Sequence, residues 1–252
     1  MDTTTTFNEL WDRVTGTQPD PPWWIVAAAG AVALLAVAHG PTWRVARNVV
    51  TIAHEGGHAV IALVTGRQLD GIRLHSDTSG VTVSRGKPRG PGMIFTALAG
   101  YVTPPLLGLA CAWLLSAGRI TLMLWAAIVL LVAMLIMIRN VYGVVSVVGT
   151  GAVIFAVSWL GDATIQAGFA YLAAFFLLLA GARPVIELQQ KRVRRQARDS
   201  DADQLARLTS IPGLAWVGVF AAVAVLALFL GIQLLTPEST SLPDLSELPG
   251  FS

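Results

Sequence analysis

Long, uninterrupted apolar runs constrain this chain more than any other feature. About 20 such residues are what a helix needs to cross about 30 Å of hydrocarbon. Inside hydrocarbon every backbone N–H and C=O must be satisfied within the segment, so an apolar run that long has to be a helix. The runs fall near Pro22–Ala38, Trp43–Thr65, Pro91–Ala117, Ile120–Ile138, Val141–Leu160, Ala163–Ala182 and Gly213–Leu235. The first is short and Ala-rich. The expectation is an all-α polytopic membrane protein with about seven transmembrane helices over residues 22–235. Charged residues make up only 13% of the chain, against about 25% in a soluble domain. Trp23, Trp24, Trp43, Trp159 and Trp216 sit near run ends, where indole rings favour the interface.

The formal net charge of +2 says little about partners, but its distribution says more. Arg67, Arg73, Arg85, Lys87 and Arg89 lie between the second and third runs. Arg183, Lys191, Arg192, Arg194, Arg195, Arg198 and Arg207 lie between the sixth and seventh. Both clusters fall on one side of a seven-span chain. The positive-inside rule then expects an integral membrane protein with a cytoplasmic N-terminus. The near-exclusive use of arginine suggests a bacterial cell membrane. Residues 1–21 form a polar N-terminal segment without the basic start of a signal peptide. The basic loop 183–212 is expected to sit on anionic headgroups. The acidic, Pro- and Ser-rich tail 236–252 is expected to be disordered. The single cysteine, Cys111, excludes both an intrachain disulfide and a cysteine-rich metal site.

One segment departs from helical periodicity. Around Ser76-Asp77-Thr78-Ser79-Gly80, Ile72 and Leu74, then Val81 and Val83, alternate with polar residues. A period of two about a Gly-containing turn predicts a small cytoplasmic β-hairpin over 70–85.

The chemistry concentrates in His54-Glu55-Gly56-Gly57-His58, inside the second run. Positions i and i+4 share a helix face, so both imidazoles can aim at one point. Zn²⁺ accepts imidazole nitrogen at about 2.0–2.1 Å and keeps a position open for water in catalytic sites. Glu55 projects about 100° around the helix and can serve as general base toward that water. The competing reading, two buried histidines bonded to backbone or to each other, fits poorly in lipid. Each ionisable group there costs a few kcal/mol, and a metal compensates all three. Gly56 and Gly57 weaken the helix by up to about 1 kcal/mol each, a cost offset if a neighbouring helix or substrate backbone must approach closely.

His54-Glu55-x-x-His58 in a hydrophobic helix resembles the site-2-protease-like intramembrane zinc metallopeptidases, and in particular their smaller M50B-like branch. The likeness extends through Ala59–Gly66, the short β element Gly71–Ser84, and Ala97-Leu98-Ala99-Gly100-Tyr101 at the start of the next run. Ser200-Asp201-Ala202, Leu205-Ala206, Thr209-x-Ile211-Pro212 and Trp216 continue it, so that it covers roughly residues 45–220. The resemblance implies hydrolysis of peptide bonds in or beside the bilayer, in membrane-protein or membrane-adjacent peptide substrates. It also implies a third protein ligand, usually an aspartate from a distant helix.

This chain lacks the family's Asn-Pro-x-Pro-x-Asp-Gly segment, and three aspartates compete for the role. Leu69-Asp70-Gly71 copies the family's letters but lies in the loop just past the histidine helix. Asp162 lies between the fifth and sixth runs. Asp201 opens a short helix capped by Ser200, with Asp203 three residues on, and is preferred. The competing reading of Asp201 is an ordinary first-turn acid favoured by the helix dipole. His39 reads as interfacial and His75 as solvated, while Asn140 reads either as an interface residue or as a hydrogen-bond partner of substrate or of a ligand carboxylate.

The resulting expectation is a zinc metalloendopeptidase with Glu55 as catalytic base and with His54, His58 and Asp201 as metal ligands. A transporter using the histidines as ion ligands would need ionisable residues along a path, and the later runs offer almost none. A non-catalytic relative that only binds membrane partners could have lost Glu55. Nucleic acid is not an expected partner, since the basic run lacks interleaved aromatics. A substrate helix must be unwound before cleavage, and an edge strand of the hairpin could then pair with it.

Overall fold

The computed structural model describes residues 11–12, 14–194, 196 and 199–236. The expected acidic tail and the first half of the polar N-terminal segment lie outside the described residues. The order of elements is α1 (Trp23–Ala38), α2 (Gly40–Val64), β1 (Gln68–Leu74), β2 (Gly80–Arg85), α3 (Pro91–Ser116), α4 (Ile120–Met137), α5 (Val141–Leu160), α6 (Ala163–Val193), α7 (Asp201–Thr209) and α8 (Gly213–Leu235).

Five helices, α3, α4, α5, α6 and α8, are long and apolar enough to cross a membrane. The first two expected spans behave differently. At 16 residues, α1 is only about 24 Å long, short of a full crossing. It meets α2 at a 101° bend, so that together they make at most one broken span or a re-entrant loop. The sequence cause is Gly40-Pro41. A proline ring clashes with the carbonyl four residues back and lacks an N–H, so α1 stops at His39 and a new helix starts with Pro41 in its first turn. The expected count of about seven therefore becomes five, or six with the bent pair.

The far end of the pair is fixed by hydrogen bonds. Gln18 donates its backbone N–H to Gly118 O at 2.8 Å, and its Oε1 accepts from Thr121 N at 3.2 Å. Residues 17–18 thus sit at the α3–α4 turn, while β1 and β2 sit at the opposite end of α3. The chain entering α1 and the chain leaving α2 lie at opposite ends of the bundle.

Helix α3 is the centre of the molecule, packing against α2, α6, α7 and α8. Small residues allow this. A Cβ on Gly108 would fall 2.8 Å from Leu178 N of α6, and one on Gly181 would fall 2.7 Å from Pro105 Cβ. Close backbone approach through small residues is the usual means of helix association in lipid.

The hairpin forms as the period of two predicts, with Leu74 opposite Gly80, Ile72 opposite Thr82 and Gln68 opposite Arg85. Ile72 and Leu74 are fully buried against Met134, Ile138 and Val147. Its outer β1 edge is occupied. Ile138 makes a parallel bridge to Ile72, and Arg139 N donates to Ile72 O at 2.9 Å. Asn140 then copies a strand with its side-chain amide, donating to Leu74 O at 2.6 Å and accepting from Leu74 N at 3.2 Å. Among the described residues no strand pairs with the outer edge of β2.

Candidate metal centre

Helix α2 carries His54 and His58 toward α3. Their Nε2 atoms lie 3.2 Å apart, with the rings edge to face. His58 Nδ1 sits 2.7 Å from the carbonyl oxygen of Thr96 on α3. A carbonyl can only accept, so Nδ1 carries a proton and Nε2 is the nitrogen that faces the site. Such an outer partner is the usual device for fixing a metal-binding tautomer.

The third group arrives from α7. Ser200 caps this helix, accepting from Asp203 N and donating to Asp203 Oδ2 at 2.7 Å. Ala202 and Leu205 are fully buried against residues of α3, α6 and α8. Arg192, near the end of α6, pairs with Asp203 and reaches Ser200 Oγ at 3.4 Å. Docked in this way, α7 directs Asp201 inward. Asp201 Oδ2 lies 3.3 Å from His54 Nε2 and 3.4 Å from His58 Nε2. Burial disfavours the charged carboxylate, but the imidazoles of His58 and His54 outweigh it and hold Asp201 below the usual carboxylate range.

The three ligand-type atoms form a near-equilateral triangle of 3.2, 3.3 and 3.4 Å. A tetrahedral zinc with bonds of about 2.0–2.1 Å spaces its ligand atoms about 3.3–3.4 Å apart. The donor set therefore fits one face of a zinc tetrahedron, with the fourth corner left to water or substrate. Among the described residues, His54, His58 and Asp201 form the one group of three able to hold a metal ion.

Two glycines make room for the arrangement. A Cβ on Gly57 would fall 2.2 Å from Thr103 Oγ1, so α2 and α3 can cross this closely only with glycine there. A Cβ on Gly100 would fall 2.4 Å from His58 Nε2 and 2.6 Å from His54 Nε2, inside the site itself. Gly56 meets only Met134 Sδ, at ordinary contact distance. Tyr101 packs edge-on against His54 and stacks on Phe220 of α8, so the ligand ring is braced from the α3 side.

Glu55 is buried at 4% exposure and faces the hairpin. Thr82 Oγ lies 2.7 Å from Glu55 Oε2 and 3.1 Å from the Glu55 carbonyl oxygen. A Cβ on Gly80 would fall 2.6 Å from Glu55 Cγ. Thr51, one turn earlier on α2, donates to Thr78 O at 2.8 Å. The start of β2 therefore lies flat on the helix that bears the histidines.

The family model described as Peptidase M50B-like matches residues 27–231. The chain belongs to that family. No curated protein and no solved structure matches it. Membership in the M50B-like peptidases agrees with the several apolar helices and with a His/Asp group able to hold a metal.

The other candidates go elsewhere. Asp162 caps α6, accepting from Ile165 N at 2.9 Å, and Asp70 pairs with Arg85 at 2.7 Å. His39 is exposed beside Thr42. His75 lies in the hairpin turn beside Ser79. Asn140, read from sequence as an interface residue or as a partner of substrate or ligand carboxylate, bonds the edge of β1. Thr82 and Gly80 were not anticipated. The alternation of β2 sets them on the face opposite Val81 and Val83, but it does not say which of the two faces meets α2.

Proposed function

We propose that this M50B-like protein is a zinc-dependent endopeptidase that cleaves peptide bonds of membrane proteins, with His54, His58 and Asp201 as ligands and Glu55 as general base. The observation that carries the reading is the triangle of 3.2, 3.3 and 3.4 Å among His54 Nε2, His58 Nε2 and Asp201 Oδ2. Zinc bound there would polarise the scissile carbonyl and lower the pKa of its water to about 7. Glu55 takes the proton of the attacking water and passes it to the leaving amine. Burial of Glu55 and its contact with Thr82 keep the carboxylate in one orientation. The open edge of β2 offers an unwound substrate backbone new hydrogen-bond partners close to Glu55.

An ion pathway has less support. Helices α3, α4, α5 and α8 carry no Asp, Glu, Lys, Arg or His.

The arginine rule also gives an orientation. Both basic loops lie at the hairpin end of the bundle and take the cytoplasmic side. With six crossings, the N-terminal segment then takes the opposite side.

The experiment uses purified full-length protein. Zinc content should be close to one per chain, and His54→Ala with His58→Ala should abolish it. Glu55→Gln should keep zinc and reduce cleavage of a membrane-protein substrate about 10²-fold or more. Full zinc retention in the double histidine variant would overturn the metal assignment. Undiminished cleavage by Glu55→Gln would overturn the base.

A further inference from the structure

A second concave region lies away from the metal centre, between the start of α2 and the last turns of α6. Its volume is about 470 Å³. Five cations line it: Arg44 and Arg47 from α2, Arg183, Lys191 and Arg194 from α6 or its C-cap. A single carboxylate, Glu187, accompanies them, and it is already engaged. It accepts from Trp43 Nε1 at 2.8 Å and pairs with Arg47 at 3.5 Å and Arg183 at 3.4 Å. Arg183 in turn lies over the Trp43 ring at 4.7 Å. That network accounts for two of the cations. Arg44, Lys191 and Arg194 keep their charge without an acidic partner among the described residues.

An apolar slot of about 440 Å³ adjoins this cavity and shares Arg183, Glu187 and Gln190 with it. Val37 and Ala38 of α1 form one wall, and Leu179, Ala182 and Ile186 of α6 form the other. The two regions are ordered along α6. Leu179 lies about 18 Å deeper than Lys191, toward the middle of the bundle. The sequence of chemistry is therefore three unneutralised cations at the rim, then an Arg–Glu–Trp layer, then an apolar groove open to hydrocarbon.

We propose that this composite site binds an anionic phospholipid, its phosphate among Arg44, Lys191 and Arg194 and an acyl chain along Val37, Leu179 and Ile186. The polarity matches the molecule end to end. A soluble phosphate would satisfy the rim and leave the slot unused. A neutral lipid would fill the slot and leave three cations facing one another. The site does not depend on the peptidase reading, since no residue in it touches His54, Glu55, His58 or Asp201. It does touch the same helix: lipid bound there holds the amino end of α2 against α6, while the metal centre occupies the other half of α2.

The test is lipid binding by the full chain in detergent, read by native mass spectrometry, with phosphatidylglycerol and phosphatidylcholine as probes. Wild type should retain phosphatidylglycerol about tenfold or more over phosphatidylcholine. Arg44→Gln/Lys191→Gln/Arg194→Gln should erase that preference, and these exposed positions can change without disturbing packing. Ala182→Phe, which fills the slot, should weaken retention of both lipids. A control of equal charge, Arg73→Gln/Lys87→Gln/Arg89→Gln, should leave the preference intact. The proposal is overturned if the first triple variant keeps the preference, or if the control loses it equally, which would mean diffuse surface attraction. It is also overturned if glycerol phosphate competes as well as the lipid, which would mean a site for free phosphate.

Discussion

Glu55 illustrates how much a single carboxylate depends on its neighbours. A general base must present one lone pair to water and must not swing away between turnovers. Thr82 has one hydroxyl proton and two acceptors within reach, Glu55 Oε2 at 2.7 Å and Glu55 O at 3.1 Å. The charged oxygen is the stronger acceptor, so the proton goes to Oε2. In the proposed mechanism Oε1 is then the atom that takes the proton. Thr82 would act there as a positioning residue, and its effect should appear in turnover. Thr82→Val keeps the shape and removes the donor. It should lower kcat about tenfold with KM and zinc content little changed, and Thr82→Ser should restore most of the loss. In a Glu55→Gln background the valine should add nothing further. Wild-type turnover in Thr82→Val would reduce the contact to hairpin docking. At this scale the histidine pair was legible because i and i+4 share a face whatever surrounds them. Thr82 was not, because its partner is 27 residues away across a turn, and alternation alone does not say which face of a hairpin meets which helix.

Elements decide what those residues can reach. Sequence alone preferred Asp201 among three aspartates but could not bring its carboxylate to the histidines. Its placement follows from docking, through Ala202 and Leu205 in the core and Arg192 on Asp203, and none of these contacts is local to the histidine helix. The hairpin shows the opposite case. Its strands and turn were legible from a period of two, but its neighbours were not. Asn140 closes the β1 edge, so β2 alone offers free backbone groups, and β2 is also the strand lying on Glu55. An added substrate strand on β2 would run past Glu55. Ile72 and Leu74 turn their backbone groups to Arg139 and Asn140, so Val81 and Val83 bond inward to Arg73 and Gly71, and the outward donors of β2 include that of Thr82. Thr82→Pro removes that N–H together with the hydroxyl, so it should cut cleavage severalfold below Thr82→Val while zinc stays bound. Equal activity of Thr82→Pro and Thr82→Val would leave the hairpin as a connector.

At the scale of the whole molecule, the apolar runs led to an expectation of about seven spans, where the described residues offer five candidates, or six with the bent pair. The reason is that the runs before and after His39 are separated by a bend rather than by a loop, and hydropathy carries no direction. The expectation of a cytoplasmic N-terminus rested on seven crossings. With residues 17–18 bonded to the α3–α4 turn, the proposed arrangement takes α1 and α2 together as one broken span, which gives six crossings from α1 to α8. Both basic loops still share one face, because four helices, α3 to α6, separate them. The chain's single cysteine makes this testable. In a Cys111→Ala background, Asp20→Cys and Lys87→Cys place one thiol each before α1 and after β2, both at exposed positions. An impermeant maleimide added to intact cells should label Asp20→Cys directly and Lys87→Cys only after permeabilisation. Labelling of both from the same side would mean that the bent pair does not cross. Labelling of Lys87→Cys alone in intact cells would invert the arrangement, putting the basic loops, and the anionic lipid site beside them, on the outer face against the arginine rule.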